Sequence, residues 1–237
     1  YKSIDGGISW KHLGLKNTER IKRIVVDPKD PNIACVCALG KEWGPNKERG
    51  VFKTTDGGKT WNKILYIDEN TGCADIAMEK NNPRVIYAGM WTFRRKPWRF
   101  DDGGGNTALY RTMDGGQTWK KIMNGLPDKD MARPGVHIAQ SEPNIIYLMT
   151  EFEGGGTAFK SMDRGENWEM VNDDPNINFR PFYYSDVRLD PNQPNVLFSI
   201  SGKLSSSNTG KVSSSINVLA STMISPVDLS RISLAIT

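Results

Sequence analysis

The chain has 237 residues, of which 24% are charged and 38% hydrophobic, with 31 Lys and Arg against 27 Asp and Glu. That length supports a substantial core, and a mean hydropathy of −0.51 with no long apolar run excludes a membrane-spanning helix. The net charge of +4, spread over interspersed signs, does not make a nucleic-acid footprint. Three cysteines argue against a disulfide framework. Two histidines and no metal-ligand spacing predict neither a metal nor another cofactor.

The first element along the chain is the turn Ser3-Ile4-Asp5-Gly6-Gly7-Ile8-Ser9-Trp10. Its pattern, Ser/Thr-x-Asp-x-Gly-x-x-Trp, returns at Thr54–Trp61, Thr112–Trp119 and Ser161–Trp168. Asp5, Asp56, Asp114 and Asp163 therefore follow one another at steps of 51, 58 and 49 residues. A self-similar period near fifty residues marks a radially repeated fold. Pro31, Pro83, Pro143 and Pro194 keep the same beat, each between two short apolar runs rich in branched residues. Runs of that kind read as strands.

One unit is thus strand A, a Pro turn, strand B, a variable loop, strand C, the Asp turn and strand D. In the first full unit these are Ile24–Val26, Ile33–Leu39 and Gly50–Thr54, with strand D starting at Trp61. The second runs through Ile76–Met78, Val85–Met90, Ala108–Thr112 and Trp119, and the third through Val136–Ile138, Ile145–Met149, Thr157–Ser161 and Trp168. Four antiparallel strands per unit make a propeller blade, so the fold class is all-β, a β-propeller with very little helix.

Both ends depart from the pattern. Tyr1 falls inside a strand C, and Val187–Leu189 and Val196–Ile200 give an A and a B strand with no C–D hairpin expected after them. Residues 201–237 hold eleven Ser and no aromatic residue and are expected to be poorly ordered or atypical, leaving 1–200 as the propeller segment. Two arrangements fit. The chain is a fragment whose partners are further blades of the same parent chain, or the N-terminal C–D pair and the C-terminal A–B pair join into one composite blade.

The repeated turn reads as scaffold. Its Asp accepts backbone N–H groups and its hydroxyl residue does so more weakly, while Trp10, Trp61, Trp119 and Trp168 offer large apolar surfaces for locking hairpins together. The acidic spacing of a calcium loop is absent. Cys35 and Cys37, two apart on one strand, read as small core residues, and Cys73 as a lone thiol at a strand entry.

These boxes resemble the Asp-box, or bacterial neuraminidase repeat, pattern. Together with the turns Asp27-Pro28-Lys29-Asp30-Pro31 and Asp190-Pro191-Asn192-Gln193-Pro194, the chain is similar to the sortilin/Vps10-type propellers and to secreted bacterial glycosyl-hydrolase-like repeat proteins. The resemblance covers about residues 1–200. It implies a secreted, periplasmic or cell-surface location and leaves activity open, because fold does not carry function with it.

In a four-stranded meander the A–B and C–D turns share one end, and the B–C and D–A connections share the other. The irregular loops, where scaffolds carry binding groups, therefore face away from the Asp turns. The loop Trp91-Thr92-Phe93-Arg94-Arg95-Lys96-Pro97-Trp98-Arg99-Phe100-Asp101-Asp102 is the richest of them. Trp91 and Trp98 are candidates to stack on sugars or anchor a peptide, and Arg94, Arg95 and Arg99 to meet carboxylates. The alternative reading of this loop is a plug between blades. Arg133, Arg180, Tyr183 and Tyr184 complete the candidate ligand set.

Asp75, Asp186 and Asp101 are the acids available for glycoside hydrolysis, which in its inverting form needs two carboxyls about 6.5–9.5 Å apart. Asp75 and Asp186 lie two blades apart, which puts that distance in question, and pairing with nearby arginines competes with catalysis. His137 reads as a satisfied inner-strand histidine. The sequence favours a scaffold that recognises a peptide or carbohydrate ligand on its loop-rich face. The alternatives are a sialidase- or xyloglucanase-like hydrolase module, or an inert fragment.

Overall fold

The structure, a computed structural model, describes residues 1–153, 155–178, 182–183, 186–200, 204–207 and 214–216. Among these, helix is limited to two short 3₁₀ turns, Lys16–Thr18 and Pro175–Asn178. The rest is built on four antiparallel sheets arranged as the blades of a β-propeller.

Blade I contains β1 (Ile21–Val26), β2 (Ala34–Ala38), β3 (Gly50–Thr54) and β4 (Asn62–Leu65). Blade II contains β5 (Thr71–Met78), β6 (Ile86–Lys96), β7 (Arg99–Asp102), β8 (Ala108–Thr112) and β9 (Lys120–Lys121), with β7 paired only to the outer part of β6. Blade III contains β10 (Gly135–Ile138), β11 (Ile146–Phe152), β12 (Gly155–Ser161) and β13 (Glu169–Asn172). Blade IV contains β14 (Asp186–Leu189), β15 (Leu197–Ile200), β16 (Leu204–Ser207) and β17 (Ser214–Ile216).

Blade IV corrects two expectations. A C–D hairpin does follow Ser201, because β16 and β17 lie inside the serine-rich stretch and complete the sheet. Ladder hydrogen bonds come from the backbone, so runs of consecutive serines build strands without an Asp turn between them. The composite blade does not form: β15 pairs with β16, while residues 1–11 make only a Lys2–Lys11 bridge of their own.

Each Asp turn is closed by its own side chains. In blade I the Thr54 hydroxyl donates to Asp56 at 2.8 Å and accepts the Gly58 N–H at 2.8 Å. Asp56 accepts the N–H groups of Lys59 and Thr60 at 2.9 and 3.0 Å. The same bonds recur around Asp114, Asp163 and Asp5. The second glycine is required twice over: Gly116 has φ +98°, and a Cβ there would meet Ile64 of blade I at 2.6 Å. Gly58 and Gly165 approach Leu13 and Ile122 in the same way. The Asp turns of blades I, II and III also donate a backbone N–H to the Pro turn of the same blade, from Gly57 to Asn32, Gly115 to Arg84 and Arg164 to Asn144. The two kinds of repeated turn therefore share one end of the molecule.

The core lies between blades. Cys35, Cys37, Val51 and Leu65 of blade I pack on Ile76, Met78 and Ile86 of blade II, and similar clusters join II to III and III to IV. Cys37 and Cys73 form a disulfide across the first of these interfaces, with Cα atoms 4.9 Å apart, and Cys35 stays a buried free thiol. This corrects the reading of all three cysteines as unpaired: the fold sets the end of β2 against β5, residues 36 apart in sequence. One blade face is open. Ile24 and Val26 are 52% and 51% exposed, whereas their repeat equivalents Ile76, Met78, Val136, Ile138, Val187 and Leu189 are at most 8% exposed.

Candidate functional site

The inner strands β1, β5, β10 and β14 lie side by side and carry a polar network between them. Arg23 donates from Nε to Asp75 at 3.0 Å and from a terminal nitrogen to Asp186 at 2.9 Å. Asp75 also accepts the N–H groups of Ile76 and Val136 at 2.9 and 3.0 Å, and Arg188 forks onto both oxygens of Asp186 at 2.6 and 3.0 Å. Sequence separation across two blades suggested that these acids stand apart; one guanidinium instead holds both. Both carboxylates are thereby committed to fixed cations. Burial pushes the Asp75 carboxyl up, against the opposing pull of Arg23.

His137 belongs to the same network. Its Nδ1 lies 3.1 Å from the Ile138 carbonyl, which makes that nitrogen the protonated one. Burial, with Arg188 and Arg23 nearby, pushes the imidazole down to about 3, so the folded state refuses a proton that the unfolded chain takes up near 6.5. Its contribution to stability is full above pH 6.5 and is lost as pH falls toward 3. The Asp-turn carboxyls are also lowered, Asp5 to about 2 by its hydrogen bonds to Ser9 and Ser3, and they add a second loss below about pH 4. Melting temperature should therefore fall in two stages on acidification. A His137→Gln variant is expected to flatten the stage between pH 6.5 and 4; an unchanged slope would contradict the assignment.

At the end opposite the Asp turns, strand β6 does not stop where the blade does. It runs on to Lys96 and returns as β7 through the two residues Pro97 and Trp98, with Phe93 opposite Asp102 and Arg95 opposite Phe100. The segment expected to be an irregular loop is thus a β-hairpin. Side chains alternate across a strand, so Trp91, Phe93 and Arg95 share one side with their partners Phe100 and Asp102. The hairpin is held down by the Phe93 N–H to Asn70 and by a bridge from Arg95 to Trp43 of blade I.

The rings on that side form a continuous floor. Trp91 stacks on Phe93 at 4.6 Å, Phe100 meets Trp91 edge-on at 6.2 Å, and Phe182, just before β14, meets Phe100 at 5.5 Å and Tyr183 at 4.3 Å. Guanidinium groups rim it: Arg20 lies 4.9 Å from the Phe93 ring, Arg95 4.9 Å from Phe100 and Arg133 5.5 Å from Trp91. Each sits at cation–π range. Glu42 bridges the rim, 3.0 Å from Arg95 and 3.8 Å from Arg20. Together these groups enclose an open pocket of about 140 Å³ to which all four blades contribute.

Asp102 supports the floor from below, accepting the Trp91 indole N–H at 2.8 Å. Burial, reinforced by Glu151, raises its carboxyl to about 6 although Trp91 and Arg133 pull the other way. Burial raises Glu151 as well.

The residues singled out in the sequence divide between several places. Arg95, Arg133 and Tyr183 line the pocket, and Trp91, only 2% exposed, is its floor. Trp98 stands 81% exposed at the hairpin tip, where Arg99 and Lys96 pair with Asp101. Arg94 is partly buried on the other side of the hairpin, opposite Asp101. Arg133 spends one nitrogen on the carbonyls of Phe182 and Tyr183, at 2.8 and 2.9 Å. Arg180 and Tyr184 lie outside the described residues. Sequence reading missed Arg20, Glu42, Phe93, Phe100, Phe182 and Asp102 as site residues. The signal available was the alternation from Trp91 to Asp102, which puts the rings of that segment on one side of a strand pair.

No protein-family profile matches the chain. Curated relatives are xyloglucanases, among them Xgh74A of Acetivibrio thermocellus, 23% identical over 230 residues, covering 83% of this chain and 25% of that protein. The chain spans 18 to 27% of the length of the curated relatives it matches. Among solved structures it is similar to the GH74 enzyme of Niastella koreensis, with a TM-score of 0.64, 18% identity and coverage of 89% of this chain and 33% of that one. It is also similar to YCF48 bound to D1 peptide, with a TM-score of 0.50, 15% identity and coverage of 86% and 55%. The chain folds as a β-propeller. At these identities the structural likeness concerns the fold alone.

Proposed function

We propose that this chain is an Asp-box propeller, glycoside-hydrolase-like in kind, whose loop-rich face binds a saccharide. The observation that carries the reading is the aromatic-floored, arginine-rimmed pocket over the inner strands, at the end away from the repeated turns. At about 140 Å³ it is smaller than the roughly 300–1,000 Å³ that holds a whole drug-sized ligand, so it seats one residue of a longer chain. Xyloglucanase relatives favour a sugar over a peptide as that residue. Export fits the Cys37–Cys73 disulfide, a bond that persists in oxidising compartments.

Affinity electrophoresis against a panel of soluble plant polysaccharides tests the reading. Retardation is expected for wild type, with affinity about tenfold weaker for Phe100→Ala, since losing an aromatic face removes buried apolar area worth about 1.5–3 kcal/mol for a fully buried ring, of which Phe100 supplies part. Wild type unretarded by every polysaccharide would end it.

A second reading, hydrolysis by these blades, is favoured by Asp102, an acid with a raised pKa that holds the Trp91 indole beneath the pocket and feels the charge of Glu151. It predicts release of reducing ends from a polysaccharide, lowered by about 10²-fold or more in Asp102→Asn. No release by wild type would leave binding as the function.

A further inference from the structure

We propose that the sugar residue seated in this pocket carries a carboxylate, so that the ligand is an acidic saccharide built on uronic acid rather than a neutral one. The inference rests on the saccharide reading above and sharpens it. Its basis is the balance of charge around the aromatic floor. Among the ten residues lining the pocket, Arg20, Arg95 and Arg133 are cations and Glu42 is the single carboxylate, an excess of two positive charges among the lining groups.

A further guanidinium presses on the same rings from behind: Arg49, fully buried, lies 4.2 Å from Phe93. Among the described residues, its nitrogens reach only the carbonyls of Leu39, Lys41 and Gly44. Carbonyls satisfy the N–H groups without cancelling the charge. The crowding registers in the cations themselves. Burial lowers Arg49 to about 10 with Arg20 and Arg94 adding to the effect, and burial lowers Arg20 against the opposing pull of Glu42 and Glu19, with Arg95 adding the least.

Hydrogen-bonding capacity is also left over at the rim. Among the described residues, one terminal nitrogen of Arg20 and the Nε of Arg133 are buried without a hydrogen-bond partner, and Arg133 is only 5% exposed. Leaving a buried donor unpaired costs about 1–3 kcal/mol, more for a charged group. A neutral pyranose packs on the accessible rings of Phe100 and Tyr183 but brings no charge to match the excess among the lining groups. A ring carboxylate answers it by displacing Glu42 from between Arg20 and Arg95, where Glu42 shows that a carboxylate fits.

Isothermal titration of the whole chain with three probes decides the matter: trigalacturonate, a neutral xyloglucan heptasaccharide and triglutamate. Trigalacturonate is expected to bind at least tenfold tighter than the heptasaccharide in 50 mM salt, with the ratio shrinking in 0.5 M salt as screening grows. Arg95→Gln should lower trigalacturonate affinity about tenfold and heptasaccharide affinity by less. Glu42→Gln, at a half-exposed position that tolerates change, should tighten trigalacturonate several-fold. Equal or tighter binding of the neutral sugar overturns the inference and leaves saccharide recognition standing. Binding of triglutamate alone overturns both in favour of a peptide, and binding of no probe overturns both outright.

Discussion

An Asp75→Ala chain is expected to lose about 3–5 kcal/mol of stability, the usual cost of removing one member of a buried ion pair. The carboxylate accepts Arg23 and the N–H groups of Ile76 and Val136 while being 1% exposed. Its removal therefore leaves two buried backbone donors without an acceptor, and leaves Arg23, between blades I, II and III, with Asp186 as its remaining carboxylate. Asp186→Ala should cost less, because that side chain is 18% exposed and its partner Arg188 can turn toward water. A double variant, Asp75→Leu with Arg23→Met, should recover only the ionic part of the loss, since a well-packed apolar pair often matches a buried ionic one, while the N–H groups of Ile76 and Val136 stay unpaired. Urea unfolding of the four proteins gives the comparison. A loss below about 1 kcal/mol for Asp75→Ala would mean that water reaches the network, and the inner strands would not be packed as described.

Removing the Cys37–Cys73 disulfide is the second large effect. A bridge closing 36 residues restricts the unfolded chain by about 4 kcal/mol in the loop-entropy account. The paired Cys37→Ala, Cys73→Ala variant is expected to fall by about that amount, and wild type in strong reductant to fall with it. Cys35→Ala should leave the response to reductant unchanged, because that thiol is buried and free. Wild type indifferent to reductant would show that the bond is not formed, and would also remove the main support for an exported protein.

The architecture was legible because turns have demanding chemistry. A Ser or Thr, an Asp and a glycine at positive φ are needed wherever this turn occurs, and Trp61 and Trp168 reach back to carbonyls of Leu13 and Ile122, so the markers repeat. Strand direction then placed the variable loops at the correct end. The site was harder to read, since a hairpin that extends a blade has no repeat to compare itself with. Its Arg-rich, Pro-containing composition suggested a loop, and the pairing of Arg95 with Phe100 became visible only in the register. Asp102 was passed over for the adjacent Asp101, although only the former faces the rings. The disulfide was missed because its cysteines sit on different blades, a proximity that exists only after the sheets stack. In blade IV, serine strands without an Asp turn gave no periodic apolar signal to follow.

The polarity of the molecule, repeated turns at one end and binding groups at the other, is the claim on which the functional reading stands. Hydrogen–deuterium exchange with and without a saturating oligosaccharide tests it directly. Slower exchange is predicted in residues 39–43, 91–102 and 182–183, with the Asp turns at 54–61, 112–119 and 161–168 unaffected. Protection confined to those turns would contradict the account.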